Sequence, residues 1–331
     1  MGPVDFDKLF DAFKKTKIGV IGDVMLDTYM WGSVERISPE APVPVVALEK
    51  KEFRIGGAGN VALNIASLNV KTSIISVMGN DEDGNHLKKM FEDTGINTEF
   101  LLRSPSRITT NKVRIISRNQ QMMRLDSEIT KDLGYEDENR LVLAVQNYIA
   151  QEKPDVLIFE DYNKGVLTEL VIRKVIDLCR HHNIITAVDP KRKNFFSFKG
   201  VTIFKPNLKE VKEGLNILTE SFNESSLRNV HDALSRELQH HISFITLSDK
   251  GVFYQENEKS RVIPSHLRNI ADVSGAGDTV IAVAALVYAV TRNVDTMAEV
   301  ANIAGGLVCE EVGTVAVNKD KLLDECKLLL G

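Results

Sequence analysis

The chain has 331 residues, with 41 Lys and Arg against 46 Asp and Glu, a formal net charge of −5. A 43% hydrophobic and 26% charged composition supplies ample chain for a buried core and excludes global disorder. The mildly acidic balance leaves no basic footprint for wholesale nucleic-acid binding, so no nucleic-acid partner is expected.

The N-terminal stretch MGPVDFDKLFDAFKKTK is charged throughout and lacks the apolar centre of a signal peptide. Residues 280–290 form the most apolar run, eleven residues long. A membrane-spanning helix needs about 20, so this run reads as a buried helix and no membrane partner is expected. Cys179, Cys309 and Cys326 are sparse and far apart, the usage of reduced thiols rather than of a disulfide frame or zinc site. A cytoplasmic location is expected. The histidines make no ligand spacing, and His181-His182 and His240-His241 read as exposed helix ends.

In chain order, short apolar runs predict buried strands at 18–21, 73–77, 156–159, 184–188, 201–204 and 242–247. Helical patterns occupy roughly 57–68, 84–94, 137–151, 168–182, 208–216, 224–239, 276–291 and 296–311. This alternation is the pattern of parallel βαβ architecture, and strands with continuous apolar runs are those covered on both faces. The expected fold class is α/β, a doubly wound, mostly parallel sheet with helices on both faces. No linker, repeat or low-complexity tract divides the chain, so 1–331 is expected to form a single domain. Two stretches break the rhythm. Residues 28–53 contain Ser38-Pro39-Glu40-Ala41-Pro42-Val43-Pro44 before a strand-like 45–48, and residues 108–125 are strand-like with no helix between their halves. In the second, Lys112, Arg114, Ile116 and Arg118 share one face at period two, and Val113, Ile115 and Ser117 the other. These segments read either as edge strands, which the pattern alone slightly favours, or as a small separate sheet forming a lid.

Asp272-Val273-Ser274-Gly275-Ala276-Gly277-Asp278 stands directly before the apolar helix. Small residues at a helix start let backbone N–H groups approach an anion, with the helix dipole adding favourable potential. Asp278 in that first turn suits a general base taking a proton from a hydroxyl that attacks a phosphoryl group held by the same amides. The structural alternative is a Ser274 cap, a glycine turn and an acid complementing the dipole. No Gly-Lys-Ser/Thr follows, and Gly22-Asp23-Val24-Met25-Leu26-Asp27 after the first strand holds no GxGxxG, so neither a Walker loop nor a dinucleotide site is expected. Gly56-Gly57-Ala58-Gly59-Asn60 opens another helix, with Asn60, Asn64 and Ser67 on one stripe. Asn60 there either meets a sugar hydroxyl or belongs to a solvated polar stripe. In Lys205-Pro206-Asn207-Leu208-Lys209-Glu210, Asn207 and Glu210 either organise a magnesium water shell or form a capping-box variant. Lys112, Arg114 and Arg118 either clamp a phosphate or form a solvated strand face.

In this order the motifs resemble the ribokinase-like (PfkB) carbohydrate kinases over essentially the whole chain. The glycine pair at Gly56-Gly57, Asn207 to Glu210 as N-x-x-E, and Asp272 to Asp278 as D-T-x-G-A-G-D carry the resemblance, with Val273 in place of the usual Thr. Within that family the chain is similar to the kinases of ADP-heptose biosynthesis, through Gly22 to Asp27, Arg36 to Val45, Ser117 to Gln121, Arg124-Leu125-Asp126, Asp161 to Leu167 and Asp189-Pro190-Lys191. The resemblance implies the ribokinase-like fold with a β-sheet lid over about 28–53 and 108–125, and phosphorylation of D-glycero-β-D-manno-heptose 7-phosphate at O1 by ATP with Mg2+. It assigns Asp278 as base and the Gly275, Ala276 and Gly277 amides as anion hole. Asn207, Leu208, Lys209, Glu210, Ser248, Gly251, Asp272 and Asn302 fall to the nucleotide, with Glu210 reaching Mg2+ through water. Asp27, Gly56, Gly57, Asn60, Asp161 and Lys164 fall to the sugar. Charge and position add Lys112, Arg114, Arg118 and Gln120 for the 7-phosphate. A homodimer through the lid is also implied. No H-x-G-H motif occurs, so a separate adenylyltransferase in the same pathway is expected to supply the adenylyl transfer. The rival readings are a ribokinase- or fructokinase-type kinase of another sugar and a non-catalytic nucleotide- or sugar-phosphate-binding regulator.

Overall fold

The computed structural model describes residues 4–118, 120–218 and 222–331. In chain order the first elements are α1 (Phe6–Phe13), β1 (Lys17–Gly22), β2 (Val24–Ile37), β3 (Pro44–Gly57), α2 (Ala58–Ser67), β4 (Lys71–Gly79), α3 (Glu82–Asp93), β5 (Leu101–Ser104), β6 (Thr110–Ser117) and β7 (Gln120–Ser127). They continue with α4 (Tyr135–Glu152), β8 (Val156–Glu160), α5 (Glu169–His181), β9 (Ile185–Asp189), β10 (Ile203–Phe204), α6 (Leu208–Leu215), α7 (Glu224–Leu238) and β11 (Ile242–Thr246). The last are β12 (Val252–Glu256), β13 (Lys259–Ile263), α8 (Ala276–Thr291), α9 (Val294–Val308) and α10 (Lys319–Leu330).

The main sheet has the order β13-β12-β11-β10-β9-β8-β1-β4-β5. It is parallel from β5 to β11 and ends in antiparallel β12 and β13. Its strands read as unbroken apolar runs because both faces are covered. On β8, Val156 and Ile158 enter the core packed by α1, α2, α8 and α9, while Leu157 and Phe159 enter the core packed by α4, α5 and α7. The apolar run at 280–290 lies inside α8, buried from Asp278 to Tyr288. The doubly wound expectation is therefore met. No helix among the described residues is long and apolar enough to cross a membrane.

The segments that broke the sequence rhythm form a separate sheet of order β3-β2-β6-β7, so the lid alternative replaces the edge-strand one. β2 pairs antiparallel with β3 and parallel with β6, and β6 pairs antiparallel with β7. The chain passes from β1 into β2 across Gly22 and Asp23. Gly22 has φ 155°, and a Cβ there would sit 1.9 Å from the Glu160 carbonyl oxygen; only glycine fits the crossing.

Four expectations need correction. The strand at 201–204 shrinks to Ile203–Phe204, because the Thr186 and Thr202 hydroxyls accept each other's backbone N–H groups. The helix at 296–311 starts and stops earlier, at Val294–Val308. The face shared by Lys112 and Arg114 does not reach Arg118, which lies beyond β6 with φ 47° and is exposed. His240 is not an exposed helix end. The helix stops at Gln239, in the left-handed region at φ 52°, and His240 turns inward to share the Ser243 hydroxyl (2.6 Å) with His231 (2.9 Å).

That histidine pair generates a pH prediction. Burial, with His231 and His241 beside it, pushes the His240 imidazole from 6.5 down to about 3. The unfolded chain therefore takes up the proton first, and stability falls as pH drops below about 6.5, by up to about 1.4 kcal/mol per unit. Urea midpoints should be higher at pH 7.5 than at pH 5, and His240→Gln should narrow that difference. An unchanged difference contradicts the assignment.

Candidate active site

The site assembles where the strands of the main sheet end and the lid begins. Asp278 occupies the first turn of α8 behind Gly275, whose φ of 79° starts the helix. A Cβ on Gly275 would lie 2.8 Å from the Asn60 side-chain nitrogen. Both oxygens of Asp278 are engaged. The Asn60 amide donates to Oδ2 at 2.7 Å and the Tyr162 hydroxyl donates to Oδ1 at 2.8 Å. Burial pushes the Asp278 carboxyl up to about 6 against the pull of those two donors, an ionisation suited to a base working near neutrality.

The stripe of Asn60, Asn64 and Ser67 is buried or half-buried rather than solvated. Asn64 Oδ1 accepts from the Thr279 hydroxyl and from Val317 N–H, and the Ser67 hydroxyl donates to the Val317 carbonyl. The stripe thus docks α2 against α8, which fixes Asn60 against Asp278.

Beside Asp278, two further carboxylates end their strands: Glu160 on β8 and Asp189 on β9. The three bring oxygens within 4.8 Å of one another. Asp189 receives Lys205, itself 1% exposed, at 2.7 Å and Lys191 at 3.2 Å. Burial alone would raise the Asp189 pKa, but the two lysines hold it below its ordinary value. Glu160 has no hydrogen-bond partner on either oxygen. Burial, then Asp189 and Asp278, drive its pKa well upward. Lys191 also donates to Glu210 at 2.7 Å. Glu210 and Asn207 form the capping box at the start of α6, with Asn207 N–H on Glu210 Oε2 at 2.8 Å and Glu210 N–H on Asn207 Oδ1 at 2.9 Å. A line of charged groups therefore runs from Asp278 to the N-x-x-E motif.

A cleft of about 1050 Å³ opens beside this line. Asn207, Leu208, Lys209, Ser248, Gly251, Ala276, Gly277 and Asn302 line it, together with His266, Val273 and Cys309. Its size suits a nucleotide. Two expected nucleotide residues stand back from the lining. Glu210 is turned to Lys191, and Asp272 accepts Ser274 N–H at 2.9 Å and Gly313 N–H at 2.9 Å, tying its loop together. Of the three expected anion-hole amides, that of Ala276 donates to the Val273 carbonyl at 3.3 Å.

On the lid side, Asp27 is 5% exposed and receives Arg114 at 2.5 Å. The register sets Asp27 beside Lys112 and Tyr29 beside Arg114. Gly56 lets the Asp27 carboxylate lie against β3, since a Cβ there would come within 2.3 Å of Oδ2, and Gly57 leads into α2 at φ 61°. Lys112 is held loosely, 3.9 Å from Asp126 and 4.0 Å from Glu128, and Lys164 pairs with Glu128 at 2.7 Å. Arg118 and Gln120 lie at the hairpin end, roughly 20 Å along the strand from Lys112, and are not brought to this group. Asp161 faces its own loop, accepting from Asn163 N–H and the Asn194 amide. Sequence reasoning missed Tyr162, Glu160, Asp189, Lys191 and Lys205 as site residues. Asp189-Pro190-Lys191 and Lys205 lay inside quoted motifs, but their pairing is a product of strand order.

A family model for pfkB family carbohydrate kinases matches residues 15–321. The chain belongs to the pfkB family of carbohydrate kinases. It is 35% identical over 324 residues to the bifunctional protein HldE of Geotalea uraniireducens (strain Rf4), covering 97% of this chain and 65% of that protein. It is 38% identical over 311 residues to the bifunctional protein HldE of Desulfatibacillum aliphaticivorans, covering 94% and 63%. The chain thus spans somewhat less than two thirds of these curated relatives. The crystal structure of phosphofructokinase-2 from Escherichia coli in complex with potassium superposes with a TM-score of 0.77 at 17% identity, covering 95% of this chain and 99% of that one. Arabidopsis thaliana ribokinase complexed with ribose and ATP gives 0.72 at 16% identity, covering 93% and 98%. These two likenesses establish the fold, and the family match makes the chain a carbohydrate kinase.

Replacing Lys205 by Met removes one of two cations from the buried carboxylates. The expected cost is about 3–5 kcal/mol of stability, read from urea unfolding at pH 7.5; a loss below 1 kcal/mol on the same scale contradicts the buried pairing.

Proposed function

We propose that the enzyme transfers the γ-phosphoryl group of ATP to O1 of D-glycero-β-D-manno-heptose 7-phosphate, giving the 1,7-bisphosphate and ADP. The observation that carries this reading is Asp278, buried at a helix start and held by two donors, between the large cleft and the lid. Asp278 takes the O1 proton as O1 bonds to the γ-phosphorus. The bond from that phosphorus to the bridging oxygen breaks, and its electron pair leaves with ADP. The start of α8, with the Gly275 and Gly277 amides, supports charge on the moving phosphoryl group. The anomeric hydroxyl is more acidic than an ordinary alcohol, so one carboxylate base suffices. The relatives named HldE support the heptose reading, which continues with an adenylyltransferase acting on the sugar 1-phosphate.

Magnesium suits the oxygen donors Asn207 and Glu210 at the edge of the cleft. Both Glu210 oxygens already accept from protein donors, so this pair fits a hydrated ion held through water. When bound with ATP, magnesium neutralises phosphate charge; Lys191 keeps Glu210 oriented meanwhile.

For the sugar, Asp27 beside Gly56 and Gly57 supplies hydroxyl acceptors, and Asn60 serves through its hold on the base. Lys112, Arg114 and Lys164 are the groups for the 7-phosphate. Lys112 is the least committed, and burial lowers its pKa ahead of the neighbouring Lys164 charge, the setting in which an arriving phosphate is favoured. On the lid, Ile37, Val43, Leu48, Met122, Met123 and Leu125 are exposed. This apolar set supports a homodimer through the lid.

Three outcomes follow from this reading. Asp278→Asn should fold and bind ATP but lose at least about 10²-fold in turnover, and wild-type kcat should fall as pH drops through about 6; steady-state ADP release measures both. Lys112→Met should raise KM for the sugar phosphate roughly 10- to 100-fold with KM for ATP unchanged, as initial rates would show. Met123→Asp with Leu125→Asp should shift the sedimentation coefficient from dimer to monomer, and a wild-type monomer contradicts the lid dimer.

A further inference from the structure

Tyr162 is the second donor on Asp278, and its position is set by the loop that carries it. Residues 161–166 leave the end of β8, and three of their amides converge on one buried side chain. Tyr162 N–H donates to Asp23 Oδ2 at 2.8 Å, Lys164 N–H to the same oxygen at 3.1 Å, and Val166 N–H to Oδ1 at 3.0 Å. Asp23 is 1% exposed. Its own N–H donates to the Glu160 carbonyl at 3.2 Å, and its carbonyl accepts Ala58 N–H at 2.9 Å. One residue thus ties together the end of β1, the root of the lid, the start of α2 that bears Asn60, and the loop that bears Tyr162. A buried carboxylate is costly unless its oxygens are satisfied; here backbone amides of a single loop satisfy it, so the loop cannot move without exposing that cost.

We propose that Tyr162 and Asp23 are positioning residues for the phosphoryl transfer: Tyr162 keeps Asp278 ionised and aimed, and Asp23 holds Tyr162 in place through loop 161–166. The inference rests on reading Asp278 as the base. A phenol donating to a carboxylate favours its charged form, and the Lys191 ammonium lies over the Tyr162 ring, 5.5 Å from its centre. The other groups facing Asp278 are Asn60 from α2, the carboxyls of Glu160 on β8 and Asp189 on β9, Lys191 after β9 and Lys205 after β10.

The test is the kcat–pH profile of the full chain as wild type, Tyr162→Phe, Asp23→Asn and the double variant, with Asp278→Asn as control. Tyr162→Phe should move the acid limb upward by about one pH unit and lower kcat about 10-fold, with KM for ATP unchanged. Asp23→Asn should move the limb the same way, and the double variant should be no worse than the more affected single one. An unmoved limb in Tyr162→Phe overturns the proposal. A lower melting temperature in Asp23→Asn without a moved limb, or effects that multiply in the double variant, overturns the part played by Asp23. Should Asp23→Asn fail to fold, amide exchange in the wild-type enzyme decides: protected amides at Tyr162, Lys164 and Val166 support the tie, and exchange at exposed rates overturns it. If Asp278→Asn keeps wild-type turnover, the base reading falls and this inference with it. If Asp278→Asn is inactive while Tyr162→Phe is unaltered, only this inference falls.

Discussion

A carboxylate shut away from water at the head of an apolar helix is the constraint on which the molecule turns. Asp278 is 5% exposed, with Glu160 and Asp189 as neighbours. Desolvation and like charge both oppose its ionisation, while Asn60, Tyr162 and Lys205 favour it. The balance falls near neutrality, where a base can be ionised before the reaction and protonated after it. Its neighbours are sorted by the same physics. Two lysines hold the Asp189 pKa below its ordinary value, while burial and the two neighbouring carboxyls drive that of Glu160 upward. Without Lys191 and Lys205 the cluster would hold too much uncompensated charge to stay buried.

The lid is joined to this cluster at its root. β1 runs into β2 through Gly22 and Asp23, so the strand that ends in the main sheet begins the lid. A second tie lies on the side of the cleft. Arg54 of β3 donates to the Val312 carbonyl at 2.9 Å and also to that of Thr314, while Gly313 between them donates to Asp272. The lid is thereby linked to the Asp272–Asp278 turn as well as, through Asp27 and Arg114, to its own strands.

What was legible in the sequence was what depends on neighbours in the chain. The Gly275-Ala276-Gly277-Asp278 turn, the apolar α8 and the Asn207–Glu210 box are local patterns, and the structure forms each of them. Strands with continuous apolar runs were legible because burial on both faces leaves no alternation to confuse. α1 escaped notice because it is short, and β13 because most of its residues are polar and exposed or half-exposed. The separate lid sheet was not decidable from pattern, since an edge strand and a lid strand share the same half-polar alternation. Glu160, Asp189, Lys205 and Tyr162 were illegible for a different reason: they are neighbours only because β8, β9 and β10 lie side by side. Arg118 shows the converse error, in which a period-two pattern was extended one residue past the end of its strand.

The account stands or falls on which hydroxyl receives the phosphoryl group. The decisive measurement is magnesium- and ATP-dependent ADP release with D-glycero-β-D-manno-heptose 7-phosphate, set against ribose, fructose and fructose 6-phosphate. The expected result is a kcat/KM for the heptose phosphate at least about 10²-fold above the others, the margin that charged contacts to a phosphate can supply. Turnover with a neutral sugar alone would contradict the substrate while sparing the base, and no turnover with any acceptor would contradict both.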